Sequence, residues 1–153
     1  MEHRKKQYDE INKQLASLIE GEPNRIANFA NAAALLFHSL EEINWAGFYL
    51  MEKDELVLGP FQGKTACIRI PIGKGVCGCA VRDREIKCVE DVECFPGHIA
   101  CDSASRSEIV IPIWQNEKII GVLDIDSPVI GRFREEDKMG LLEFVNILEK
   151  QLK

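Results

Sequence analysis

Hydrophobic periodicity changes twice along this chain, and those two changes limit what it can fold into. Up to Leu40 the apolar residues recur at helical spacing. Between Trp45 and Ile125 they alternate or run in short apolar blocks, and from Glu135 to Leu152 the helical spacing returns. Two helices, a strand-rich middle and a last helix describe an α+β domain.

The pattern is specific within each part. Tyr8, Ile11, Leu15 and Leu18 predict a helix over residues 4–19, ended by Gly21 and Pro23. Asn24 is placed to cap a second helix with a stripe of Ile26, Ala30, Ala33, Phe37 and Leu40. Trp45, Gly47, Tyr49 and Met51 then share one strand face, and Ala46, Phe48 and Leu50 the other. Lys53 to Glu55 turns into a strand of Leu56 to Leu58 that Gly59-Pro60 should stop, and Cys67 to Ile72 alternates as a further strand. A short helix over Val76–Arg82 and a strand over Ile86–Val89 follow. Residues 91–107 have no clean period and predict a long loop with one helical turn. Two strongly apolar strands, Ile109–Trp114 and Lys118–Ile125, precede a helix with a stripe of Leu141, Val145, Leu148 and Leu152.

Mostly short connections favour antiparallel pairing. The expected architecture is about six antiparallel strands in one domain, residues 1–153, with the terminal helices on one sheet face. The 91–107 loop would roof the other face and enclose a pocket. With 46% apolar residues the chain supports a core without staples. Its 19 basic and 25 acidic residues leave a net charge of −6, which argues against a nucleic-acid or anionic-membrane surface. The charged start, Glu2 to Lys6, leads into no apolar segment, and no apolar run reaches the roughly 20 residues of a spanning helix. A cytoplasmic protein with reduced thiols is the expectation.

Six cysteines then need a use: Cys67, Cys77, Cys79, Cys88, Cys94 and Cys101. No C-x-x-C knuckle or paired histidine motif is present, so no structural zinc is expected. Cys79, Cys88 and Cys94 read as small hydrophobes. Cys101 differs, because Gly97 to Ser107 is a loop of small and polar residues that would expose a thiol to backbone amides. Amides and a nearby cation, His98 or Arg106, favour the thiolate. Cys67 and Cys77 flank a loop carrying Lys74, and either could supply a second thiol for sulfenic acid chemistry.

Asp124 and Asp126 share a strand face within an otherwise apolar block. A two-residue loop at Asn116-Glu117 would pair Glu108 with Ile125, on the wrong face. A three-residue loop would pair it with Asp124 or Asp126, and that parity is expected because it gathers three carboxylates. Carboxylates so close raise one another's pKa and keep a proton available, or they hold a ligand's ammonium group. Trp45 and Tyr49, on one strand face, would make an apolar slot for a methyl or thioether group.

Six stretches carry a resemblance: Asn44–Tyr49, Gly59–Lys64, Gly75–Gly78, Glu90–Val92, Phe95–Ser105 and Gly121–Ser127. Together they closely resemble the free methionine-(R)-sulfoxide reductases, which are single GAF-domain enzymes. The resemblance implies a GAF fold and reduction of free methionine-(R)-sulfoxide without a resident cofactor or metal. It implies that Cys101 is the catalytic cysteine, Cys67 the principal resolving cysteine and Cys77 a third cysteine of variable role. It further implies that Glu108, Asp124 and Asp126 surround the substrate, and that Trp45 and Tyr49 wall it. Homodimers and recycling by thioredoxin are implied as well. Cys79, Cys88 and Cys94 have no counterpart in that pattern. The alternative is a GAF-type sensor that binds a small molecule and regulates a partner.

Overall fold

The computed structural model describes residues 2–98 and 104–152. Its elements in chain order are α1 (Glu2–Ile19), α2 (Arg25–Ser39), β1 (Trp45–Glu52), β2 (Glu55–Gly63), β3 (Arg69–Pro71), α3 (Gly75–Asp83), β4 (Lys87–Val89), a 3-10 turn (Val92–Cys94), β5 (Ser107–Gln115), β6 (Lys118–Ser127) and α4 (Glu135–Gln151). The strands form one six-stranded sheet in the order β3-β2-β1-β6-β5-β4. Every neighbouring pair is antiparallel.

The sheet has two unlike faces because β1, β5 and β6 alternate. Ala46, Phe48, Ile111, Leu123 and Ile125 face the main core, with Phe29 and Leu36 of α2 and Phe144 and Val145 of α4. Trp45, Tyr49, Val110 and Val122 face the other way and meet Val76 and Ala80 of α3. Helix α1 lies along α4: Tyr8 Oη donates to Asp137 Oδ1 at 2.7 Å, and Asn12 Nδ2 donates to the Gly140 carbonyl at 3.2 Å. Gly140 permits this approach, since a Cβ there would overlap the Tyr8 ring. No helix among the described residues is long and apolar enough to cross a membrane.

Four expectations change in the fold. The Asn24 cap forms, its side chain accepting from the Ala27 amide at 2.9 Å, but α2 buries Phe29, Ala32, Ala33 and Leu36. Ile26 is left exposed. The helix carries two apolar stripes sharing Ala33, and the one that meets the sheet places Phe29 against Phe48, with ring centres 4.7 Å apart. Strand β2 also continues through Gly59-Pro60. Gly47 faces Phe61 and Tyr49 faces Leu58, so both residues sit in a bulge opposite Phe48. Proline is tolerated there, because a bulge needs no ladder donor from it. Strand β3 is shorter than its alternation suggested, and Cys67 lies in the loop before it.

The fourth change concerns register. The β5–β6 hairpin has a two-residue turn, Gln115 facing Lys118, with Asn116 and Glu117 both at positive φ (52° and 65°). That is the primed turn a tight hairpin favours. On its own it would place Glu108 opposite Ile125. A bulge intervenes, since Trp114 faces Ile119 while Ile113 faces Gly121. Ile120 is the extra residue, and beyond it Glu108 faces Asp126. The expected parity is present, and a bulge rather than a longer loop produces it.

Candidate active site

The face of the sheet turned away from α2 and α4 carries a pocket. Consecutive rungs of β1, β6 and β5 build its floor. Trp45 faces Asp126, which faces Glu108; Gly47 faces Asp124, which faces Val110; Tyr49 faces Val122. Gly47 contributes no side chain between the two aromatic residues, and Phe61 and Trp45 pack into the space a Cβ there would need. Trp45 and Tyr49 stack with ring centres 5.8 Å apart, and Phe61 stacks on Trp45 at 5.1 Å. Cys77 and Val76 enter from the first turn of α3, and Thr65, Ala66, His98 and Ser105 complete the lining.

The polar ends of the two aromatic residues do further work. Trp45 Nε1 donates to the Lys64 carbonyl at 3.1 Å, and Tyr49 Oη donates to the Cys67 carbonyl at 3.0 Å. These bonds hold the 64–67 segment over the pocket. Cys67 is half-buried and disulfide-bonded. Cys77, Cys79, Cys88 and Cys94 are free thiols. Cys101, read as the nucleophile, lies outside the described residues.

Electrostatics at the floor are dominated by burial. Glu108 is 8% exposed and Asp124 is 5% exposed. Burial, then Asp124 and Asp126, push the Glu108 carboxyl well above the ordinary glutamate range. Burial also raises Asp124, against hydrogen bonds from Glu108, Cys77 and Asp126 that favour its ionised form. Cys77 Sγ lies 4.0 Å from Glu108 Oε2. Burial and then the charges of Asp124, Glu108 and Asp126 push its thiol far up, so Cys77 is a thiol and not a thiolate at neutral pH. Asp124 Oδ1 is buried without a hydrogen-bond partner. The arrangement therefore stores a proton among buried acids beside an apolar wall, and it presents one oxygen ready to accept from a ligand.

The fold thus brings together Trp45, Tyr49, Cys77, Glu108, Asp124 and Asp126, and sets Cys67 at the rim. Of the two cations named for the loop, His98 lines the pocket. The Arg106 guanidinium instead faces Asp91 at 3.6 Å and Glu93 at 3.5 Å, pinning the 3-10 turn to the start of β5. Cys88 and Cys94 are exposed, so the reading of them as buried hydrophobes fails, whereas Cys79 is buried as expected. Thr65, Ala66 and Ser105 were not singled out in the sequence. Ser105 accepts from Asn44 Nδ2 at 3.2 Å, a link of 61 residues that no local pattern signals.

Comparison with known proteins adds the family. A GAF domain matches residues 24–152. Free methionine-R-sulfoxide reductase of Escherichia coli is 57% identical, over 95% of this chain and 88% of that protein. The structure of free methionine-R-sulfoxide reductase from Neisseria meningitidis in complex with its substrate superposes with a TM-score of 0.91, at 47% identity, over 94% of this chain and 87% of that one. The structure of fRMsr of Staphylococcus aureus in complex with substrate gives a TM-score of 0.92, at 57% identity, over 95% of both chains. A fold shared at 47% and a sequence shared at 57% identity over nearly the whole length mean that the chain belongs to the free methionine-R-sulfoxide reductases of the GAF-domain family.

Proposed function

We propose that this protein reduces free methionine-(R)-sulfoxide to methionine, with Cys101 as nucleophile and Cys67 as resolving thiol. One observation carries the chemistry: three clustered carboxylates, two of them buried and one raised well above its ordinary range, lie beside an aromatic wall under a segment that ends in a disulfide-bonded cysteine.

The methyl group of the substrate rests on Trp45 and Tyr49, and its ammonium group faces the acids. The Cys101 thiolate attacks the sulfoxide sulfur while the acid cluster delivers a proton to the oxygen. The attack joins the two sulfurs; the protonated oxygen then passes to the Cys101 sulfur as the substrate S–O bond and the new S–S bond break, so methionine leaves and Cys101 is left as sulfenic acid. The Cys67 thiol condenses with it, forming the S–S bond and releasing water. The sulfoxide sulfur gains two electrons and the two cysteines lose them. Cys77, held as a thiol against Glu108, is the reserve resolving group. Selectivity for one epimer follows from a methyl wall and a proton source on fixed, different sides of sulfur.

A dithiol protein of the thioredoxin class returns the electrons by exchange at the Cys67 disulfide. The cytoplasm, with its reducing thiols, is the proposed setting, and the proposed assembly is a homodimer. Leu18 on α1, and Met139 and Leu142 on α4, are exposed apolar side chains suited to such contact. No metal, flavin or nucleotide enters the scheme. The test is methionine release from each sulfoxide epimer, by wild type and Cys101→Ser. Release from the R form, abolished by the substitution, is expected. Equal release from both epimers, or none, would refute the reading.

A further inference from the structure

We propose that the same pocket is a binding site for a thiophilic divalent cation, zinc above all, held by Cys77 Sγ, an oxygen of Glu108 and Oδ1 of Asp124. No spacing in the sequence suggests it, since the three residues come from α3, β5 and β6. The fold nevertheless brings one ligand atom of each to within 4.8 Å of the others, and all three residues are buried. Asp124 Oδ1 supplies an independent indication, because it is a buried oxygen in this pocket without a hydrogen-bond partner.

The donor set selects the ion. One sulfur and two carboxylate oxygens suit a borderline-soft cation, while magnesium and calcium want oxygen alone and more ligands. Zinc takes sulfur at about 2.3 Å and oxygen at about 2.0–2.2 Å, which sets its ligand atoms roughly 3.5 Å apart. Cys77 Sγ and Glu108 Oε2 are 4.0 Å apart, so a small side-chain rotation closes the set. The charge balances. The dication displaces one proton from the Cys77 thiol and one from the acid cluster, with no redox change. Because the ion sits where the acids meet the substrate, it excludes methionine and its sulfoxide. That consequence rests on the function proposed above; the binding itself does not.

The test uses the chain in its Cys67-disulfide form with Cys88→Ser and Cys94→Ser, which removes the exposed thiols. Cadmium is titrated in and its thiolate charge-transfer absorption is followed. The expected result is one cadmium per chain, displaced by zinc and by free methionine. Cys77→Ser should abolish the band, and Glu108→Gln, close to isosteric, should weaken binding by about tenfold or more. A band that survives Cys77→Ser, or an affinity unchanged in Glu108→Gln with its melting transition intact, overturns the site. A parallel assay in metal-free buffer separates the two readings. Zinc should raise the KM for the R-sulfoxide. A chain without turnover that still binds cadmium through Cys77 refutes the enzyme and keeps the site.

Discussion

Glu108 faces Asp126 directly across β5 and β6, and Asp124, two residues back on β6, shares that face. The bulge at Ile120 makes this so. Without it the two-residue turn would turn both aspartates into the core between the sheet and α4. Deleting Ile120 alone should therefore abolish cooperative folding, because it buries two carboxylates against Phe144 and Val145. Adding a glycine after Asn116 to the deletion should restore the native parity through a three-residue loop. Circular dichroism melts of both variants check this.

Glu108 holds its proton more tightly in the folded protein than in the unfolded chain, first through burial and then through Asp124 and Asp126. The sign follows from linkage. Its stabilising contribution is complete below the ordinary value of 4.5 and is lost as pH rises through the raised folded value. Denaturant midpoints should fall for wild type as pH rises above 4.5, and should fall less for Glu108→Gln. Turnover of wild type should decline over the same range as the stored proton is lost.

Tyr49 holds the Cys67 carbonyl by its hydroxyl. Tyr49→Phe keeps the apolar wall and loses that bond, at about 0.5–1.5 kcal/mol. Substrate affinity should hardly change. The resolving step should slow, so that sulfenic acid accumulates and is trapped by dimedone in larger yield than in wild type. An unchanged yield would mean that the bond does not position Cys67.

Asp137 ties three parts of the chain together. It accepts from Tyr8 and Arg132, and pairs with Arg4 at 2.8 Å. Burial raises its pKa, but the Arg134 amide, Tyr8, Arg132 and Arg4 outweigh burial and hold it below the usual aspartate value. Its contribution is present above the unfolded value and is lost as pH falls through the folded one. Asp137→Ala leaves the buried Arg132 without a carboxylate and should cost about 3–5 kcal/mol. The pocket is remote from this change, so the KM at low temperature should stay the same. Chemical denaturation with paired kinetics measures both.

Much of this was legible in the sequence because period-two alternation assigns faces without knowledge of partners. Trp45 and Tyr49 on one face, Ala46 and Phe48 on the other, and Asp124 with Asp126 all follow from spacing. The choice between two stripes on α2 did not follow, because it depends on what the sheet offers to Phe29. Gly59-Pro60 reads as a strand end in the sequence, because a bulge that excuses proline depends on the opposite strand. The register of Glu108 was right in parity and wrong in cause for the same reason. The bonds from Trp45 and Tyr49 to the 64–67 segment were invisible, because backbone carbonyls carry no sequence signature.

The central claim is that Cys101 reduces one sulfoxide epimer of free methionine. The most direct measurement is methionine release from the separate R and S forms, by wild type and Cys101→Ser, with dithiothreitol as reductant. Release from R alone, absent in Cys101→Ser, is the predicted result. Release from neither form by folded, reduced wild type, or release that survives the substitution, would contradict it.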